Sequence, residues 1–489
     1  MNTSGIDRLI GKEVQGTLIH ESKELDKGRD KCLGFLIDRI FASYKPLDFP
    51  APDQLTVPLK AIRFRDDSLR QKFSAYSETS HVPLYDAQNR CWNWPLHATH
   101  EPAEAPAGEP AVLHLKKNFA CFLNTVSSAI KERSVNHSAS RYWVADWSER
   151  IMPSACSNEL ERKPDLVLLE HGAVPHDEVS WGSLKVIAEH TSKSYTNATN
   201  MVKTLDTTAG LILVEQPWRR FVLALSFANL ELRVHFYDRS GGSVSPPFHL
   251  HSDPEAFVYV IAAVTLGCRS CIGFDRTVEI TSVDPLRRLS IKPETSTPSA
   301  LADDTFTHNA VIVPTATSPV LPHVPNAGSS CPDDQKVIGI IWVRDVAYEI
   351  LKILFSSTEI LGKGTVCYLG RRNGVVFVIK DHWVVRSPEY EAEMLSLVQG
   401  IDGVPTLHDS WQVEVEDRIV DNTSRYRAEK ERAAMKDIRT HVRLVTTPHA
   451  RPLAHFHDKK ELLKCVRDIL RMRPSVAMSS TVTAVSVIA

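Results

Sequence analysis

The sequence predicts a multidomain chain of mixed class, in which an α/β domain precedes a smaller α+β lobe made of an antiparallel sheet with one helix. Three observations carry this. At 489 residues the chain exceeds what one hydrophobic core usually serves, so two or three domains are expected. Between positions 111 and 285 the apolar patterning runs helix, three strands, helix, two strands. From Leu361 to Lys380, LGKGTVCYLGRRNGVVFVIK joins a two-glycine turn, a β-prone run, an Asn-Gly turn signal and an apolar β-branched run that ends on a lysine.

Composition narrows the classes of function. A net charge of −2 argues against a strongly basic nucleic-acid binder, so nucleic acid is not an indicated partner. Nine cysteines are an odd number at scattered positions, which fits reduced thiols and an intracellular location, cytoplasmic or nuclear. The start, MNTSGIDRLIGKEVQG, has no apolar core of a secretory signal, and no apolar run reaches spanning length, so no membrane partner is expected.

The elements follow in order. Residues 1–110 are weakly patterned: Cys32 to Tyr44 reads as a short amphipathic helix, Trp92 and Trp94 sit in an extended stretch, and His97 and His100 have no metal-ligand partners near them in sequence. EPAEAPAGEP (Glu101 to Pro110) is a linker composition. Residues 111–285 form the α/β domain. Leu113, Phe119, Phe122, Leu123, Val126 and Ile130 predict a helix over Ala111 to Arg133, and Arg141 to Trp147, Asp165 to Glu170 and Leu184 to Ala188 predict strands. Ser194 to Leu213 reads as a helix, Phe221 to Ala228 and Leu230 to Tyr237 as two strands closed by the structural turn Asp238 to Gly242, and Pro254 to Leu266 as a last helix. Residues 286–335 are a Pro/Ser/Thr-rich linker.

Residues 336–473 make the second lobe. Val337 to Phe355 carries apolar residues at helical spacing and predicts a helix. Arg386 to Val398 predicts another, Val404 to Val415 and Thr440 to Thr447 predict strands, and Tyr426 to Lys436 a charged, exposed segment. Asp458 is a suitable N-cap for a helix to Arg471. Residues 474–489 are an uncharged tail.

The chemistry-bearing residues cluster in that lobe. Glycines let backbone amides approach phosphates, and a lysine supplies a point charge to them. Gly362, Gly364 and Lys380 are therefore candidate nucleotide-binding residues. A glutamate on the following helix would hold the lysine; Glu391, four residues before Leu395, is preferred over Glu393, which lies on another face. Thr447 to Leu453 is where an adenine would meet backbone. The bland reading of each piece is a hairpin with a glycine turn, an ordinary lysine and a solvated glutamate; their order and spacing favour the functional one.

Together these residues give the chain a resemblance to the fungal-type protein kinase family. The matching segments are RKPDLVLLE (Arg162 to Glu170), WGSLKVIAEHTS (Trp181 to Ser192), FYDRSG (Phe236 to Gly241), GFD (Gly273 to Asp275), LGKGT (Leu361 to Thr365), VIKDHW (Val378 to Trp383), GVP (Gly403 to Pro405), and RPLAHF with KELLKCVRDIL between Arg451 and Leu470. The resemblance implies a protein-kinase-like small lobe, ATP and Mg²⁺ as cofactors, and protein phosphorylation. The family's catalytic loop, which resembles HRDIS with a downstream asparagine, and its metal-binding aspartate do not occur in these residues. HVRLV (His441 to Val445) is strand-like and lies before the hinge segment Thr447 to Leu453. The expectation is a chain truncated before the large lobe, with weakened nucleotide binding and without phosphoryl transfer.

The first domain also resembles the restriction-endonuclease-like core of the PD-(D/E)XK nucleases, an αβββαβ order. That resemblance makes Asp165 and Glu189 candidate metal ligands, with Thr191 where a lysine is expected and Lys193 two residues on. The structural reading is that Asp165 caps its strand and Glu189 pairs with Arg162 or Lys185. Cys268 and Cys271 supply half a tetrahedral zinc site and read as reduced thiols. Three functions remain in play: a kinase-family nucleotide binder, a regulatory protein that works through protein partners, and a metal-dependent nuclease.

Overall fold

The computed structural model describes residues 40–41, 50–96, 110–134, 140–154, 161–172, 178–195, 200–281, 336–385, 387–401, 403–416, 418–427, 437–450 and 458–478, with a few single positions between them. His97, His100, the 101–109 linker, most of Cys32 to Tyr44, the 286–335 linker and the end of the tail lie outside the described residues.

The N-terminal part forms two small antiparallel pairs: β1 (Thr56–Pro58) with β2 (His81–Pro83), and β3 (Tyr85–Asp86) with β4 (Cys91–Trp92). Between β1 and β2, α1 (Asp67–Lys72) starts where the Asp66 carboxylate accepts from the Leu69 amide. This part is docked, not loose. The Trp92 indole donates to the Leu250 carbonyl at 2.8 Å and the Tyr85 hydroxyl to the His251 carbonyl at 2.9 Å. Trp92 also meets Phe122 and Phe257 edge-on.

Next comes a mixed seven-stranded sheet. Its elements are α2 (Ala111–Arg133), β5 (Arg141–Val144), β6 (Leu166–Glu170), β7 (Val186–Thr191), α3 (Asn200–Glu215), β8 (Phe221–Ala228), β9 (Glu231–Asp238), β10 (Gly241–Val244), β11 (Phe248–His249) and α4 (Pro254–Leu266). The strand order is β10-β9-β8-β7-β6-β5, with β11 beside β9. Only β7 and β8 pair in parallel, and α3 makes the crossover that a parallel pair requires. The central strand β8 is buried at every position, which is why it reads as an unbroken apolar run. On one face, Phe119, Phe122 and Val126 of α2 and Phe257 of α4 pack on Leu168, Val186, Leu225 and Val234. On the other, Leu205 and Ile212 of α3 pack on Ile187, Ala224 and Tyr237.

The second seven-stranded sheet is wholly antiparallel. It contains β12 (Val278–Ile280), β13 (Gly339–Val343), β14 (Val346–Ser356), β15 (Val366–Arg372), β16 (Val375–Val384), α5 (Tyr390–Leu397), β17 (Thr406–Gln412) and β20 (Thr440–Thr447), with the small pair β18 (Glu414–Glu416) and β19 (Ile419–Val420) nearby. The strand order is β12-β13-β14-β15-β16-β20-β17. The turn between β15 and β16 has Asn373 at φ 50° and Gly374 at φ 76°, as its Asn-Gly signal requires. Glu461 donates its amide to the Asp458 carboxylate at the start of α6 (Lys459–Met478), which runs beyond Arg471.

Two expectations are corrected. Val337 to Phe355 is not a helix but the hairpin β13–β14, turned at Arg344 with φ 56°. Gly339, Ile341 and Val343 are buried while Ile340 and Trp342 are half-buried, a period of two that β-branched residues favour. Register shifts in β14 let neighbouring Ile350 and Leu351 both be buried, and that breaks the alternation seen in sequence. Nor is the start of the Tyr426 to Lys436 segment exposed: Tyr426 and Arg427 are both buried.

The two sheets share one core. Ile341, Ile350, Ile353, Tyr368, Ile379 and Val445 of the second sheet belong to the same apolar cluster as Phe221, Phe236 and Phe274 from the first. Among the described residues no helix is long and apolar enough to cross a membrane.

Candidate functional site

Strand β16 organises the site by simple alternation. Lys380 and His382 face α5, and Asp381 and Trp383 face the first sheet. On the α5 side, Lys380 Nζ lies 2.6 Å from Glu391 Oε1, and His382 Nε2 lies 3.3 Å from Glu391 Oε2. Leu395, one turn on from Glu391, is buried against Val442 and Leu444 and so fixes the rotation of the helix. Burial works against the Glu391 charge, but His382 and Lys380 outweigh it and hold the carboxyl at about 2. Glu393 is exposed. Cys367 stands opposite Lys380 in the β15–β16 register, its thiol pushed up to about 11 by burial.

The glycine turn closes the same end of the sheet. Gly362 has φ 131° and Gly364 φ 48°. The Trp383 amide donates to the Lys363 carbonyl at 2.8 Å, and the Ser357 amide to the Thr365 carbonyl at 2.8 Å, so the turn is pinned to both neighbouring strands. A Cβ on Gly364 would lie 2.4 Å from Arg239 Nε, so a side chain has no room there. Of the adenine-facing candidates, Thr447 to Ala450 are described and the rest lie outside the described residues.

The opposite face of β16 carries a buried charge network. Arg443 contacts Asp381 and Asp275 at 3.0 Å each, and His441 Nε2 lies 2.8 Å from Asp381. Arg220 makes two contacts with Asp421, at 2.7 and 2.9 Å, and donates to the Tyr426 hydroxyl. Three carboxylates thus face two guanidiniums and one imidazole. Burial opposes the His441 charge, yet Asp381 and Asp421 raise the imidazole to about 9. Burial likewise works to raise Asp381, but Arg443 and His441 hold it well below the usual carboxylate range. Asp275, Asp381 and His441 have the spacing of a metal site. The Arg443 guanidinium already bridges both carboxylates, so the grouping reads as an ion-pair network joining the two sheets.

The first sheet brings Asp165 and Glu189 together. The Lys116 ammonium, from α2, lies 2.5 Å from Asp165 Oδ1, and the His190 amide donates to Asp165 Oδ2 at 2.9 Å. Burial first, and then contact with Asp165, raise the Glu189 carboxyl well above its ordinary range. Glu189 therefore favours its neutral form, and its Oε1 has no hydrogen-bond partner among the described residues. Lys185 pairs with Glu170 at 3.6 Å rather than with Glu189, and burial brings its ammonium down to about 7. Lys193 is exposed. The Cys268 and Cys271 sulfurs are 3.3 Å apart.

The sequence gives no site role to Lys116, His382, His441 or Arg443. For His382 a signal existed, since the i, i+2 spacing from Lys380 places both on one face of a strand. For the others the partners are too distant along the chain to leave one.

A family model described as fungal protein kinase matches residues 163–478, a span that takes in most of the first sheet and all of the second. No curated protein and no solved structure matches.

Proposed function

The chain belongs to the fungal protein kinase family, and from that premise we propose that its second sheet is a nucleotide-binding small lobe, with Gly362, Gly364, Lys380 and Glu391 as the binding residues. The observation that carries this is the Lys380–Glu391 ion pair on a half-exposed face, with the glycine turn at the same sheet end. An ammonium has three donors, so one bond to Glu391 leaves others for phosphate oxygens. Residues 447–450 would lie against the adenine. ATP fits these residues by charge and by backbone. Mg²⁺ does not find ligands among them: the described three-ligand grouping is on the opposite face and is bridged by Arg443. A divalent ion would therefore arrive with the nucleotide.

Phosphoryl transfer needs a positioned base and metal ligands as well as a bound nucleotide. We propose that residues 1–489 by themselves bind nucleotide without transferring phosphate, the small lobe serving as a regulatory or partner-binding unit. Thermal shift with Mg²⁺-ATP tests the binding. The wild type should be stabilised and Lys380→Ala should not, while equal responses would favour an interaction protein that takes no nucleotide. Phosphate incorporation from ATP above a Lys380→Met control would overturn the inactive reading.

A second reading is favoured by one observation, the juxtaposition of Asp165 and the buried Glu189 beside the Lys116 ammonium. A carboxylate pair with a nearby lysine is suited to metal-assisted phosphodiester cleavage. Mn²⁺-dependent DNA or RNA cleavage lost in Asp165→Ala and Glu189→Ala would support it, and its absence in the wild type would end it.

A further inference from the structure

The FYDRSG segment does more than close a hairpin in the first sheet. Three consecutive residues of its turn reach into the second. Asp238 pairs with Arg427 at 3.2 Å, both buried. The Ser240 hydroxyl contacts Thr423 Oγ1 at 2.8 Å and the Asp437 carbonyl at 2.7 Å. Arg239, between them, is 1% exposed and lies along the glycine turn. Its guanidinium donates to the Glu359 carbonyl at 2.7 Å and to the Ile360 carbonyl at 3.4 Å, and its own carbonyl accepts from the Gly362 amide at 3.2 Å. Its Nε occupies the space that a Cβ of Gly364 would need. Ile360, fully buried, is seated in the α3-side core of the first sheet beside Tyr237 and Trp181.

Arg239 therefore holds the entry to the glycine turn through Glu359, Ile360 and Gly362 and lies against Gly364, while Trp383 and Ser357 hold its far end. Glycine turns are otherwise mobile, because each glycine has more backbone freedom to lose than any other residue. A turn already held in one conformation loses less on binding a ligand. Gly364 lines the junction together with Asp381, Trp383 and His441, the side of β16 opposite Lys380 and Glu391.

We propose that Arg239 is a positioning residue for nucleotide: it fixes the glycine turn so that the backbone of the turn is set for the phosphates. This rests on the nucleotide reading above. It adds that the first sheet is a working part of the nucleotide site and not a neighbour of it. The family match covers Arg239 and the glycine turn in one span, which agrees with a shared unit.

The test uses the full chain and two probes, Mg²⁺-ATP and adenosine, measured by displacement of a fluorescent ATP analogue. Arg239→Met keeps the alkyl stem and removes the donors. It should weaken ATP roughly tenfold and leave adenosine unchanged, because adenosine has no phosphates for the turn to hold. Arg239→Lys, which keeps the charge and one donor nitrogen, should recover part of the loss, and it carries the same comparison if the Met variant does not fold. Equal weakening of both probes would mean a merely structural role and would overturn the proposal. So would unchanged ATP affinity in Arg239→Met while Lys380→Ala loses ATP; in that case the nucleotide reading stands and Arg239 falls. Absence of ATP binding by the wild type would remove both.

Discussion

Lys380 and Glu391 are 11 residues apart in the chain and 2.6 Å apart in space. Their contact is a charge-assisted bond of the stronger kind. Glu391→Gln should keep the fold and weaken Mg²⁺-ATP binding by about one order of magnitude, as titration calorimetry would show. The pH behaviour of the pair follows from the direction of the shift. Because the Glu391 carboxyl is depressed to about 2, the pair's contribution is fully present above the ordinary carboxylate value and is lost only as pH falls toward 2. Gly364 gives a second test at this scale. Alanine there meets both a left-handed φ of 48° and the Arg239 guanidinium. Gly364→Ala should cost about 1–3 kcal/mol by chemical denaturation, and less in an Arg239→Ala background, where only the backbone part of the cost remains.

At the scale of elements, what was legible was what local chemistry decides. The α2 helix shows its buried stripe at Phe119, Phe122, Val126 and Ile130, and the β15–β16 turn shows its Asn-Gly pair. The β13–β14 hairpin looks helical in sequence because β14 is bulged. Two adjacent buried residues, Ile350 and Leu351, imitate a helical repeat, and only pairing on both sides of the strand resolves them. The N-terminal pairs β1–β2 and β3–β4 are too short to announce themselves, and their order comes from tertiary packing. Trp92 is the anchor there, fully buried and bonded to Leu250. Trp92→Ala should destabilise the chain by about 3–5 kcal/mol and should make the segment before it sensitive to protease.

For the molecule as a whole, the two sheets are expected to unfold together, since their apolar cores and their charges are continuous. The candidate site was legible where it was local, in Gly362, Gly364, Lys380 and Glu391. It was not legible where it depended on docking, because Arg239 reaches Glu359 across 120 residues and Arg443 reaches Asp275 across 168. The junction should also respond to pH. His441 sits at about 9 in the folded chain and near 6.5 when unfolded. Its contribution is therefore complete below about pH 6.5 and is lost as pH rises through about 9. Lys185, depressed to about 7, has the opposite slope above that point, so the wild type must be compared with His441→Gln. Melting temperature should fall more steeply between pH 6.5 and 9 in the wild type than in that variant. Strand β16 offers a way to watch this directly. Trp383 stacks on the His441 ring with centroids 4.5 Å apart, on the face away from Lys380. A protonated imidazole quenches indole emission, so this tryptophan is a native optical gauge of the sheet junction.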